Sequence, residues 1–241
     1  MEGLGNDFVV LNEKTRVRAD LVRRLCDRQR GVGADGVLQV SSDKGVVVMG
    51  YWNSDGTQAE MCGNGLRCVT RYAVDFGLAT PGNFVVSTPS GMRRVQSGDD
   101  PRVELGEAAV GETFTSQGRP FVRVQVGNPH AVTIVEDVAR APVTTIGPAL
   151  EAATKGGVNV EFINILDLHR LEMRVWERGV GETLACGSGM VAATAAAFEQ
   201  GLVAPTVSVH VPGGVGQVEI TNETTWLTGP ARYVFTGEID L

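Results

Sequence analysis

Two cysteines stand in matching surroundings: residues 62–65 read "CGNG" and residues 186–189 read "CGSG". In each case a thiol precedes two glycines that enclose a small polar residue, and the sequence that follows reads as a helix. The first turn of a helix leaves N–H groups without intrahelical partners and carries positive partial charge, which stabilises a thiolate placed there. Thiols in such positions fall from about 8.5 toward roughly 3.5 to 7.5, so both Cys62 and Cys186 are expected to react near neutral pH. The glycines let an oxygen of a bound molecule approach the backbone, and Gly63–Asn64 and Gly187–Ser188 are expected to donate N–H bonds to a carboxylate. Taking a proton from one face of a carbon and returning one to the other needs a base and an acid on opposite sides. Two matched thiols, one ionised and one protonated, meet that need, and exchanging their states runs the reaction backwards.

The cysteine motifs belong to a longer internal repeat. Aligning Cys62 with Cys186 (186 − 62 = 124) also pairs Trp52 with Trp176, Gly65 with Gly189, Thr70 with Thr194 and Leu78 with Leu202. At an offset of 123, "TPSG" ending at Gly91 meets "VPGG" ending at Gly214, and at 122, "GNDFVV" from Gly5 meets "GNPHAV" from Gly127. Each half reads as a strand ("DFVVL", "HAVTIV"), a short helix ("DLVRRLCDRQ", "GPALEAATK"), β-rich runs, a longer helix opening at the cysteine, and a hairpin. "GSGMVAATAAAFEQGL" has no charge before Glu199, so that helix is expected to be buried with strands wrapped round it. Its partner "NGLRCVTRYAVDFGL" carries arginines and is the weaker of the two signals. The predicted fold class is α+β: two pseudo-symmetric domains, each a mostly antiparallel sheet or barrel around a central hydrophobic helix. The halves are placed at 1–112 and 113–231, with the active site in the cleft between them. Trp52 and Trp176 read as core packing, and "TPSG" and "VPGG" as turns.

Composition narrows the partners. A formal charge of −7 argues against nucleic acid, which is bound through clustered Lys and Arg. The clusters "RLCDRQR" and "GMRRV" read as solvated faces. No apolar run approaches the roughly 20 residues of a membrane span, and the start "MEGLGNDFVV" has no secretory signal, so a cytoplasmic protein with free thiols is expected. Close Cys/His spacing of the zinc type is missing, so no metal is expected.

The stretches "GLGNDFVV", "NSDGTQAEMCGNGLRC", "GNPH" and "ERGVGETLACGSG" resemble, in order and nearly in spacing, signature stretches of the diaminopimelate epimerase family. The resemblance spreads over most of the chain. It implies an isomerase that converts LL-2,6-diaminopimelate to the meso form in lysine and peptidoglycan biosynthesis, using two cysteines and no pyridoxal phosphate, other cofactor or metal, as a cytoplasmic homodimer. It makes Cys62 and Cys186 the acid/base pair and gives Gly63, Asn64, Gly187 and Ser188 the reacting carboxylate. Asn6, Asn53, Asn128, Asn159, Glu177 and Arg178 line the rest, and His130 is similar to a family histidine that assists one thiol; Glu177 is counted with it among the catalytic residues. The repeat adds a separate argument, because Asn53 and Ser54 fall on Glu177 and Arg178. An Arg able to grip a distal carboxylate and a Glu able to accept from an ammonium suit a substrate with a second amino-acid end. The competing readings are a hydrogen bonder at a strand end for His130 and mutual pairing for Glu177 and Arg178.

Departures from the family pattern are local. Gly36 stands where many members have a substrate-contacting Gln, so that role is not transferred, and Gln39 lies three positions on, where its side chain can point elsewhere. The first strand is expected to be short or absent. The last segment, 232–241, reads as a strand that by resemblance returns to the first half. Other functions in play are a proline racemase, hydroxyproline epimerase or phenazine-pathway isomerase of the same fold, and a thiol redox sensor. Proline-type relatives tend to carry His after "MCG" and Thr in the second motif, where this chain has Asn64 and Ser188.

Overall fold

The computed structural model describes residues 1–59 and 62–239. The chain forms two compact units, Met1–Val103 joined by the segment from Gly229, and Glu104–Thr228. In the first unit the order is β1 (Glu2–Gly3), β2 (Asn6–Asn12), α1 (Ala19–Cys26), β3 (Gly36–Asp43), β4 (Val46–Asn53), α2 (Gly63–Asp75), β5 (Asn83–Thr88) and β6 (Gly91–Gln96). β7 (Arg102–Gly106) leads into the second unit: β8 (Ala109–Ser116), β9 (Arg119–Gln125), β10 (Pro129–Ile134), α3 (Val143–Ala153), β11 (Asn159–Asp167) and β12 (Arg170–Glu177). Then come β13 (Gly181–Thr183), α4 (Gly187–Glu199), β14 (Thr206–Val211), β15 (Gly214–Ile220) and β16 (Thr225–Thr228). The division falls between Val103 and Glu104 rather than at 112/113 because β8 pairs with β9 along its length, from Ala109↔Gln125 to Ser116↔Arg119.

Both units share one plan. Most neighbours are antiparallel, but β2·β3 and β4·β5 in the first unit and β10·β11 and β12·β14 in the second are parallel. Parallel neighbours need a crossover connection, and each of the four helices is one: α1 and α3 within the first parallel pair, α2 and α4 within the second. The α+β architecture with repeated halves is therefore visible in the connectivity itself.

The outer helices cover one sheet face. From α1, Val22, Leu25 and Cys26 pack with Ala34 and Val37 and against Trp52. From α3, Val143, Ile146 and Leu150 pack with Phe121, Val160 and Phe162 and against Trp176. Both tryptophans are thus core groups, and α3 lies so close to Trp176 that a Cβ on Gly147 would come within 2.5 Å of it. On α4, Met190 to Ala197 are buried, and each of β8 to β12 and β14 to β16 touches the helix. This is the wrapped apolar helix expected. α2 is buried over Gly63–Thr70 and Ala73, and it buries Arg67 as well, which its composition does not announce.

At the ends, β1 has two residues, as the shortened first strand predicts. The expected last strand is corrected: Arg232 makes an isolated bridge to Glu2, and no strand runs from there to 239, while 240 and 241 lie outside the described residues. β1 has only two residues, so the outer edge it offers the returning segment ends at that single bridge.

Candidate active site

Each cysteine is the N-cap of its unit's central helix. Cys62 (φ −148°, ψ 111°) and Cys186 (φ −122°, ψ 116°) are extended, and their sulfurs accept from the amides of the third helical residue, Gly65 N at 3.3 Å and Gly189 N at 3.4 Å. The capping role usually given to Ser, Thr, Asp or Asn is here taken by sulfur. This geometry also explains the later glycine of each motif. A Cβ on Gly65 would lie 3.0 Å from Leu38, and one on Gly189 would lie 2.9 Å from a Glu161 oxygen and 3.3 Å from the Cys186 sulfur. Packing under the helix start therefore leaves little room for a side chain at Gly65 or Gly189.

Around Cys62 the polar groups form a chain. The thiol donates to Asn6 Oδ1 at 3.7 Å, and Asn64 Nδ2 donates to the same oxygen at 3.3 Å. Asn6 is oriented from behind, its Nδ2 donating to Asp35 Oδ2 at 2.8 Å, and Asp35 shares Arg28 with Asp7. Asn53, at the end of β4, donates to Thr57 Oγ1 at 3.1 Å.

Cys186 sits in a more enclosed place. Its residue is 5% exposed, with Ser188 Oγ 3.5 Å from the sulfur. Glu177, half-buried at the end of β12, accepts from the Thr183 hydroxyl and neighbours Cys186. Burial pushes the Cys186 thiol well up, any charge on the neighbouring Glu177 or Glu161 adds to this, and the Ser188 and Gly189 hydrogen bonds offset only part of it. The expectation of a depressed value at both helix starts is thereby corrected for Cys186: the dryness of its site outweighs the helix terminus. Glu177 is raised too, chiefly by burial. Cys26, pushed by burial to about 11, and Cys68, pushed to about 12, are inert protonated thiols, as read.

The remaining candidates of the second unit are tied to one another at β10, β11 and the end of β12. Asn159 Oδ1 accepts from the Arg178 backbone N–H at 3.0 Å while its Nδ2 donates to Pro129 O. Arg178 is exposed and its guanidinium donates to Gly156 O at 3.1 Å, so it is not consumed by Glu177. His130 is fully buried, with Nδ1 2.6 Å from Glu161 Oε1 and Nε2 2.9 Å from Asn128 Oδ1.

A protein profile described as diaminopimelate epimerase matches residues 1–110 and 122–234. The chain belongs to the diaminopimelate epimerase family. It is 40% identical to the diaminopimelate epimerase of Moorella thermoacetica, across 100% of this chain and 98% of that one, and 40% identical to that of Desulfitobacterium hafniense, across 98% and 95%. Among solved structures it resembles a phenazine biosynthesis protein of the PhzF family from Enterococcus faecalis (TM-score 0.75, 13% identity, 97% of this chain and 92% of that one). It also resembles a hydroxyproline epimerase from Agrobacterium vitis (TM-score 0.72, 14% identity, 95% and 86%). At such identities the structural likeness establishes the fold. As a family member the chain is an epimerase, an isomerase.

Membership gives the departures a physical cause. At position 36 a Cβ would come within 2.6 Å of Trp52 O and 2.8 Å of the Tyr51 ring, so this backbone admits only glycine there. Gln39 is turned away, its Nε2 donating to Thr15 O at 2.6 Å. One polar group escaped the sequence reading altogether, namely Glu161. The available signal was its place two residues after Asn159, on the same face of β11.

Proposed function

We infer that this chain epimerises LL-2,6-diaminopimelate to meso-diaminopimelate by a two-base mechanism, with Cys62 and Cys186 serving one α-carbon. One observation carries the reading: in a chain of this family, repeat-related helices are each N-capped by a cysteine sulfur. The thiolate removes the α-proton, leaving carbanion charge next to the carboxylate, and the thiol on the other side returns a proton to the opposite face. After one turnover the two sulfurs have exchanged states and are set for the reverse reaction. Burial, the leading cause of its raised value, makes Cys186 the acid of the first turnover, and the two-base scheme then leaves the base to Cys62.

First-turn N–H groups at Gly63–Asn64 and Gly187–Ser188 are aimed at the substrate carboxylate, where charge develops. One such donor is worth about 3 to 4 kcal/mol of barrier. Arg178, exposed beside Asn159, serves the distal carboxylate, while Glu177, beside Cys186, acts at the reacting end. The sulfurs supply both acid and base, so the mechanism calls for no cofactor. Among the described residues no helix is long and apolar enough to cross a membrane. A cytoplasmic location belongs to the same proposal, as does a homodimer, supported by the exposed Val234 and Phe235 of the C-terminal segment and refutable by a monomeric mass in light scattering.

In deuterated buffer under reductant, the protein should wash deuterium into the α-carbon of diaminopimelate and leave proline unlabelled. Exchange into proline would move the chain to a proline-type activity. No exchange into either would favour a thiol sensor.

A further inference from the structure

β10 and β11 are parallel neighbours, in register at His130↔Asn159 and Val132↔Glu161. The side chains of His130 and Glu161 are wholly buried, and both ring nitrogens are engaged, Nδ1 by Glu161 Oε1 and Nε2 by Asn128 Oδ1. Neither nitrogen is left over for a sulfur. The second Glu161 oxygen, Oε2, is buried with no hydrogen-bond partner among the described residues.

Three proton placements fit these contacts. Glu161 is a neutral acid donating to Nδ1, or Glu161 and His130 form an ion pair, or a neutral ring donates Nδ1–H to a carboxylate. The third leaves a full charge in a dry site with one oxygen bare and no cation beside it, the costliest arrangement. The ion pair leaves the same bare anionic oxygen. With the acid, the bare atom is only a carbonyl oxygen, and burial does push Glu161 toward the protonated form despite the pull of His130. The other titratable groups facing it, Glu177 and Cys186, add no positive charge.

We propose that Glu161 is a positioning residue: as a neutral acid it donates to His130 Nδ1, so that the ring carries its proton on Nε2 and donates to the Asn128 oxygen. The Asn128 amide is then held with its oxygen inward and its Nδ2 presented as a donor to substrate. His130 works through Asn128 rather than on a thiol. The last link rests on the reading of Asn128 as a substrate contact. Gly189 supports the placement, since the space a Cβ would need is filled by Glu161 Oε1.

The test is nitrogen NMR of the imidazoles, of which the chain has 3, with His130→Gln to assign the signal. His130 should show a protonated Nε2 and a bare Nδ1. A ring protonated on Nδ1, or on both nitrogens, would overturn the proposal. Glu161→Leu removes the donor, so the tautomer should become mixed and KM for diaminopimelate should rise about tenfold to a hundredfold, the worth of one hydrogen bond to a charged group, with kcat little changed. Glu161→Gln, whose amide N–H reaches the same nitrogen, should recover most of that loss, and failure to do so while folded would count against the donor role. Asn128→Ala separates the links: an unchanged KM there overturns the substrate contact, while the tautomer still decides the part of Glu161.

Discussion

Alkaline pH is expected to weaken the fold through thiols that burial keeps protonated. Cys26 is moved from an ordinary 9.0 to about 11 and Cys68 to about 12, with desolvation the leading cause for both. An unfolded chain releases these protons near the ordinary value, the folded one only near the raised values. Between those limits the folded state binds more protons, so stability is fully present below pH 9 and falls as pH rises. At pH 10 the unfolded thiol is one unit past its midpoint, and each buried thiol then costs about 1.4 kcal/mol relative to pH 7. Against a total of roughly 5 to 15 kcal/mol, two such thiols are a measurable share.

The assay is urea unfolding under reductant at pH 7 and pH 10, for the wild type and Cys68→Ala. Lysines and tyrosines titrate in the same range, so the comparison is between the two drops rather than within one. Removing Cys68, which is fully buried on α2, lowers stability at both pH values, but the drop from pH 7 to pH 10 should shrink by about 1.4 kcal/mol. Equal drops would mean that burial is not what holds the proton. The same reasoning assigns the acid role to Cys186, so that role would fall with it.

Two further outcomes follow from the site. Cys62→Ala and Cys186→Ala should each lose about 10²- to 10⁴-fold in rate in both directions, because each direction uses both groups; near-normal turnover by either variant, measured by circular dichroism or coupled assay, would refute the two-base scheme. Gly189→Ala drives a methyl to 2.9 Å from Glu161 Oε1 and 3.2 Å from Cys186 Cβ. It should cost about 1 to 3 kcal/mol in thermal unfolding together with activity, and a variant of wild-type stability would show that the helix start has slack.

What was legible in the sequence and what was not divides along the range of the interaction that decides each feature. The capping cysteines, the apolar α4 and the hairpins at Pro89 and Pro212 are set within a few residues, where spacing and residue type are sufficient. Glu161 was hidden because β11 is covered on both faces. Val160 and Phe162 pack with α3, while Asn159 and Glu161 alternate with them on the face that meets α4. Alternating polar and apolar residues ordinarily mean a strand with one wet side. Nothing near residue 161 reveals that a helix starting 26 positions later (187 − 161 = 26) will close over it. The charge state of Cys186 failed to show for the same cause. Its own motif predicts a lowered thiol, and the burial that reverses this is built from elements distant in sequence, among them β11 and the end of β12. Arg67 is the converse case, a charge on a local helix pattern that becomes wholly buried because the chain's last segment returns, its Nε donating to Pro230 O at 3.3 Å. A local motif thus identifies which atoms can do chemistry, whereas their protonation is set by groups that only the tertiary fold brings near. The cysteine pair could therefore be named from spacing, but the order in which the two sulfurs act could not.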